Sequence, residues 1–137
     1  MVELDESFHF NRYRGETMHA SWASELPWRQ AYTDYCAAWE GKAGTGGKRW
    51  SNDSAKRMFG GADPDGVFGA FGAPRWKQRA LYDAMKDAAA VAGAVQLSRI
   101  SIYDVIDGIQ LDDALYRRAV ISPGALAAHV VSRASAG

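Results

Sequence analysis

The chain has 137 residues, 47% apolar and 23% charged, and its sixteen basic and sixteen acidic side chains leave no net charge. A chain of this length can bury about two thirds of its unfolded surface, and the composition excludes the low-hydrophobicity, high-charge character of disorder. Zero net charge excludes steering of the whole molecule toward nucleic acid or anionic membrane, and a single cysteine, Cys36, excludes a disulfide framework and every multi-cysteine zinc pattern.

The opening Met1-Val2-Glu3-Leu4-Asp5-Glu6 is acidic and lacks the basic and apolar regions of a secretory leader. No run of about 18 apolar residues suits a membrane span. The expectation is one cytoplasmic domain over residues 1–137 that makes no use of a membrane.

Residues 1–22 mix charges and aromatics without a clear period and read as an irregular arm, with Phe8 and Phe10 alternating as in a brief strand. Ser24 then suits a helix cap and Pro27 a first turn. Trp28, Ala31, Tyr32, Tyr35, Cys36 and Trp39 follow at the spacing of one helical face, which is assigned to the core, and Gly41 ends the helix.

Residues 42–73 form a glycine-rich, basic loop region, since eight of the fourteen glycines lie between Gly44 and Gly72. Within it, Ser51 to Gly60 reads as a short capped helix, and Asp63-Pro64-Asp65-Gly66 as a turn. Pro74 opens the longest periodic stretch, which runs to Gly93. Trp76, Ala80, Ala84, Ala88 and Val91, widened by Leu81 and Met85, predict its inner side, and Arg79, Asp83 and Asp87 a stripe facing water.

Residues 94–110 fit either a strand, from the β-branched run Ile100, Ile102, Val105 and Ile106, or a short helix capped by Ser101 with Asp104. Asp112–Ala119 and Pro123–Arg133 predict two further helices, with Leu115, Leu126, Ala127, Val130 and Val131 inward and residues 132–137 a frayed tail. The fold class expected is mainly α: a compact domain of four to five helices with a Gly-rich central loop region and one or two short strands.

Charge is the strongest local anomaly. Lys42, Lys48, Arg49, Lys56, Arg57, Arg75, Lys77 and Arg79 face only Asp53, Asp63 and Asp65 over the same stretch. Trp50, Phe59, Phe68, Phe71 and Trp76 are interleaved with them, and cations beside aromatic faces are the ingredients of single-strand and phosphate-backbone sites. The candidate polyanion site is therefore Lys42, Lys48, Arg49, Trp50, Lys56, Arg57, Arg75, Lys77 and Arg79. The bland reading of the same stretch is a solvated loop between helices, or a surface for an acidic protein.

Other motifs fail on spacing or chemistry. Gly41-Lys42-Ala43-Gly44-Thr45-Gly46-Gly47-Lys48 lacks the register of a phosphate-binding loop and follows a helix where that motif needs a strand. A calcium loop begun at Asp63 would require glutamate where Pro74 stands. Glu16 and His19 have the spacing of a metal pair, but no second Glu-x-x-His exists, and His9, His19 and His129 read as surface or core-edge residues. Cys36 lies on an apolar stripe and reads as an inert buried thiol, while Asp104, Asp107, Asp112 and Asp113 are explained by caps and turns. The final helix pair has the outline of a helix-turn-helix, yet its second helix offers Ala125, Ala128 and His129 where a reader needs Arg, Gln, Asn or Lys.

Three functions follow in order: a non-enzymatic nucleic-acid-binding accessory or regulatory protein using the basic segment; a protein-interaction module, such as an inhibitor, adaptor or assembly component, using the same region or the alanine-rich C-terminal helices, as a homo-oligomer or with an acidic partner; and a small enzyme using the clustered aspartates and histidines. No catalytic residue, metal or cofactor is assigned.

Overall fold

A computed structural model describes all of residues 1–137. The protein is mainly helical, with helices α1 (Arg12–Thr17), α2 (Arg29–Trp39), α3 (Asp53–Phe59), α4 (Pro74–Val91), α5 (Leu111–Tyr116) and α6 (Pro123–Ser132). Strands β1 (Val2–Asp5) and β2 (Ser98–Ser101) pair in parallel, Val2 opposite Ser98 and Asp5 opposite Ser101, and β3 (Val105–Ile106) and β4 (Ile109–Gln110) form a small hairpin. No helix is long and apolar enough to cross a membrane.

The N-terminal arm is not irregular. Its strand lies at Val2–Asp5, and Ser7–His9, which carries Phe8, is a single 3-10 turn. The alternation of Phe8 and Phe10 comes from that turn: Phe10 is fully buried at its end and Phe8 packs elsewhere. α1 begins at Asn11, whose side chain accepts from the Tyr13 and Arg14 amides, a cap the sequence reading passed over.

α2 carries the expected aromatic face into the main core, with Phe10 edge-on to Tyr32 at 5.0 Å and Trp39 stacked on Tyr103 at 4.7 Å. Its start is corrected. Ser24 sits inside a separate 3-10 turn, Ser21–Glu25, and bonds the Ser21 carbonyl, so α2 begins two residues after Pro27 without a side-chain cap. α3 is likewise capped by Asn52, which accepts from the Ala55 amide, and not by Ser51.

The glycine-rich region has its own small core of Ala43, Trp50, Ala73 and Trp76, with Trp50 and Trp76 edge-on at 5.2 Å. Asp63 organises the loop: its carboxylate accepts from the amides of Gly69, Phe71 and Gly72. Those donors, Gly72 foremost, hold its carboxyl below the usual range against the opposing effect of desolvation. Gly72 adopts φ +63°, and a Cβ there would collide with the Tyr13 hydroxyl.

Over residues 94–110 the strand reading holds and the helix reading falls. Asp104 does not cap a helix; its Oδ2 accepts the Ser101 amide within a tight turn. The tail is anchored: Ser135 is buried, exchanges bonds with Leu97, and Ala134 bridges Ser98 as an antiparallel partner. Leu126 and Val130 cover Ile100, Ile106 and Leu111, but Leu115, Ala127 and Val131, expected inside, are exposed, because so short a helix pair covers only one side of the hairpin.

The largest correction concerns α4. Asp83 and Asp87, expected in water, are fully buried, while Leu81 and Met85 are exposed, Met85 at 61%. The helix is turned so that its charged stripe faces inward.

Candidate functional site

That stripe is the floor of a buried charge cluster. β1 puts Glu3 and Asp5 on one face by its two-residue period, β2 sets Arg99 opposite Glu3, α1 contributes Arg14, and the 3-10 turn after β1 folds His9 over the top. Asp87 bridges the two arginines, with Oδ1 2.7 Å from Arg99 Nε and Oδ2 2.7 Å from Arg14 Nη1. Arg99 Nη1 also donates to Asp5 at 2.9 Å and meets Glu3 at 3.0 Å, and Tyr32 donates its hydroxyl to Asp5 at 2.8 Å.

His9 Nδ1 stands 2.8 Å from Asp83 Oδ2 and 3.4 Å from Asp5 Oδ1. The ligand atoms of Asp5, His9 and Asp83 all lie within 4.8 Å of one another. Burial alone would raise the Asp83 carboxyl, but the His9 hydrogen bond and the positive charges of Arg14, His9 and Arg99 bring it down to about 2. Burial likewise works against the Arg99 and Arg14 guanidiniums, yet the surrounding aspartates hold both above their ordinary value. Asp83 Oδ1 and Arg14 Nε and Nη2, though buried, have no hydrogen-bond partner.

A second buried carboxylate, Asp104, accepts from Tyr35 (2.8 Å) and Arg133 (2.8 Å) and shares 2.9 Å with His129 Nε2. It ties α6 to the core. Burial, then the bond to Asp104, pushes the Tyr35 hydroxyl well up. Asp107 and Asp112 are not part of this cluster; Asp112 meets Gln110 and Arg117.

The three histidines therefore do not converge: His9 joins the first cluster, His129 the second, and His19 lines a shallow cavity of about 390 Å³ with Glu16, Arg12 and Glu40. Cys36 borders that cavity but is buried, and burial pushes its thiol up to about 11.

Among the sequence-derived polyanion residues, Lys42, Lys48, Arg49, Lys56 and Arg57 are exposed and Arg75, Lys77 and Arg79 half-buried. Trp50 departs from expectation. It is 1% exposed, and its indole donates to the Asp63 carbonyl, so its ring has no face open to a base. Lys77 is held by the Phe71 carbonyl, and Arg75 lies over the Phe8 ring at 5.2 Å.

None of those eight cations has a carboxylate within 4.0 Å, although six of the eight cations elsewhere do: Arg12, Arg14, Lys86, Arg99, Arg117 and Arg133. Two of the three acidic residues of the segment are spent on backbone, Asp63 on three amides and Asp65 on Gly47. Burial first, and then the adjacent Arg79, lower Arg75 from its ordinary value.

A family model described as "Family of unknown function (DUF7255)" matches residues 1–117. The chain belongs to this family. Both β1 and α4, and with them every member of the first cluster, lie within the matched stretch; α6 lies beyond it. No curated protein matches the chain, and no solved structure does.

Sequence reasoning missed the first cluster because its members are scattered from Glu3 to Arg99. Two signals were present: Arg75, Arg79, Asp83 and Asp87 recur every four residues, and Arg99 stands among Leu97, Ile100 and Ile102 in a stretch otherwise without charge. An arginine in such a strand calls for a buried carboxylate.

Proposed function

We propose that this member of the family is a nucleic-acid-binding accessory protein of the cytoplasm that grips the phosphate backbone with the surface of α3, the 3-10 turn Gly47–Arg49 and the first turns of α4. The observation that carries the reading is the absence of carboxylate partners for Lys42, Lys48, Arg49, Lys56, Arg57, Arg75, Lys77 and Arg79 in a chain whose other cations are mostly paired. Unpaired cations clustered on one folded segment attract an anionic chain, and counterion release rewards its binding.

Trp50 supports the segment from below, so stacking on that ring is not part of the proposal. Recognition then rests on charge and backbone shape, and discrimination between base sequences should be weak. The buried, high-pKa thiol of Cys36 is at home in a reducing compartment.

The test is fluorescence anisotropy of labelled single- and double-stranded DNA and RNA at low and high salt. Binding that weakens steeply with salt, and that is lost when Lys48, Arg49, Lys56 and Arg57 are changed to alanine, supports the reading. No binding at low salt overturns it; binding to an acidic protein in its place would assign the same surface to a protein partner.

A further inference from the structure

The first cluster sets four carboxylates, Glu3, Asp5, Asp83 and Asp87, against two guanidiniums, Arg14 and Arg99, and the His9 imidazole. Lys86 meets Glu3, but its side chain is 45% exposed and its charge is largely met by water. A buried carboxylate is stable only against cations or hydrogen-bond donors, and one oxygen of the cluster, Asp83 Oδ1, accepts no hydrogen bond.

Three side chains of the cluster offer ligand atoms to a cation. Asp5, His9 and Asp83 present one nitrogen and two oxygens within 4.8 Å of one another. Around a divalent ion bonded at about 2.0 to 2.2 Å, neighbouring ligand atoms stand roughly 3 to 3.5 Å apart. His9 Nδ1 is 2.8 Å from Asp83 Oδ2 and 3.4 Å from Asp5 Oδ1, two edges close to that spacing. A second observation is independent of this spacing: Asp83 Oδ1 is wholly buried and accepts no hydrogen bond, with Arg99 Nη2 3.5 Å away.

Access and support are also built. The His9 side chain is 19% exposed while both aspartates are sealed, so an ion enters past the imidazole. Tyr32 and Arg99 hold Asp5, and Arg99 Nη2 stands 3.5 Å from Asp83 Oδ1; such outer contacts orient ligands.

We propose that Asp5, His9 and Asp83 form a binding site for one divalent transition-metal cation of the Zn²⁺ or Mn²⁺ class. One imidazole nitrogen with two carboxylate oxygens suits these ions better than a thiolate-seeking or all-oxygen cation. Binding takes the lone pair of His9 Nδ1, so a neutral imidazole would carry its one proton on Nε2, and an imidazolium would give up its Nδ1 proton to solvent. Water completes the coordination on the exposed side.

The experiment uses the full chain, free of nucleic acid, so its outcome is separate from the polyanion reading. Calorimetric titration with ZnCl₂ and MnCl₂ should give one ion per chain, and electron-spin-echo spectroscopy of bound Mn²⁺ should show coupling to one imidazole nitrogen. His9→Ala at the rim should weaken binding at least tenfold, abolish the nitrogen coupling and leave the circular dichroism unchanged, whereas His19→Ala should change neither. Asp5→Asn serves as a second ligand variant, compared only if its circular dichroism matches the parent. Failure of both ions to bind stoichiometrically, binding unchanged in His9→Ala, or loss of binding in His19→Ala would each overturn the site.

Discussion

Arg79 and Asp83 stand one turn apart on the same stripe of α4 and meet opposite surroundings: Arg79 has no carboxylate partner, whereas Asp83 is sealed beneath His9 and flanked by two arginines. α4 thus changes from a basic ridge at Arg75 and Arg79 to a buried anionic floor at Asp83 and Asp87 within four turns. Each end of the stripe has its own experimental signature.

At the basic end, Arg75→Ala with Arg79→Ala should flatten the salt dependence of binding to single-stranded DNA. If both arginines neutralise phosphates, the slope of log K against log salt falls by about 1.4 in magnitude. Anisotropy titrations across a salt series measure it, and an unchanged slope removes these two residues from the interface.

At the buried end, Asp87→Ala strips Arg14 Nη1 and Arg99 Nε of their shortest partner. Stranding a buried charge costs about 3–5 kcal/mol. Met85→Ala, which the apolar spacing alone would place in the core, should cost under about 0.5 kcal/mol because Met85 is exposed. Urea denaturation of both variants decides the orientation of α4, and a larger loss for Met85→Ala would contradict it.

Stability should also fall in acid through Asp83 and Asp63. Both carboxyls are depressed in the folded protein from 3.8, Asp83 to about 2, so their contribution is fully present above the unfolded value and is lost as pH drops through the folded one. Denaturation midpoints should hold from neutrality to about pH 4 and decline steeply toward pH 2. The decline should be shallower in Asp63→Asn, whose loop no longer depends on a carboxylate.

Gly72 is held at positive φ with its α-carbon against the Tyr13 hydroxyl. Gly72→Ala should therefore destabilise the protein by more than about 1 kcal/mol. Adding Tyr13→Phe removes the obstructing oxygen, so the double variant should lose less than the sum of the two single changes in a thermal-melt cycle.

The Cys36 thiol, pushed up to about 11 by burial, should react with iodoacetamide only slowly at neutral pH and rapidly in denaturant. Mass spectrometry of timed samples reads the difference, and rapid labelling of the folded chain would contradict the burial.

The sequence by itself determined the helical class, the aromatic core face of α2 from Trp28 to Trp39, the extent of α4 from Pro74, and the local excess of Lys and Arg between Lys42 and Arg79. These follow from short-range periodicity, proline and glycine at helix ends, and composition, all of which act between neighbours in the chain. The tertiary structure alone decided which face of α4 is inside. Periodicity separates apolar from charged faces but cannot tell a solvated charge from a paired one, and Asp83 and Asp87 are buried only because Arg14 and Arg99 arrive from distant segments to neutralise them. The same holds for the anchored tail at Ser135 and for the meeting of Asp5, His9 and Asp83, contacts between residues up to 78 positions apart that no local pattern encodes.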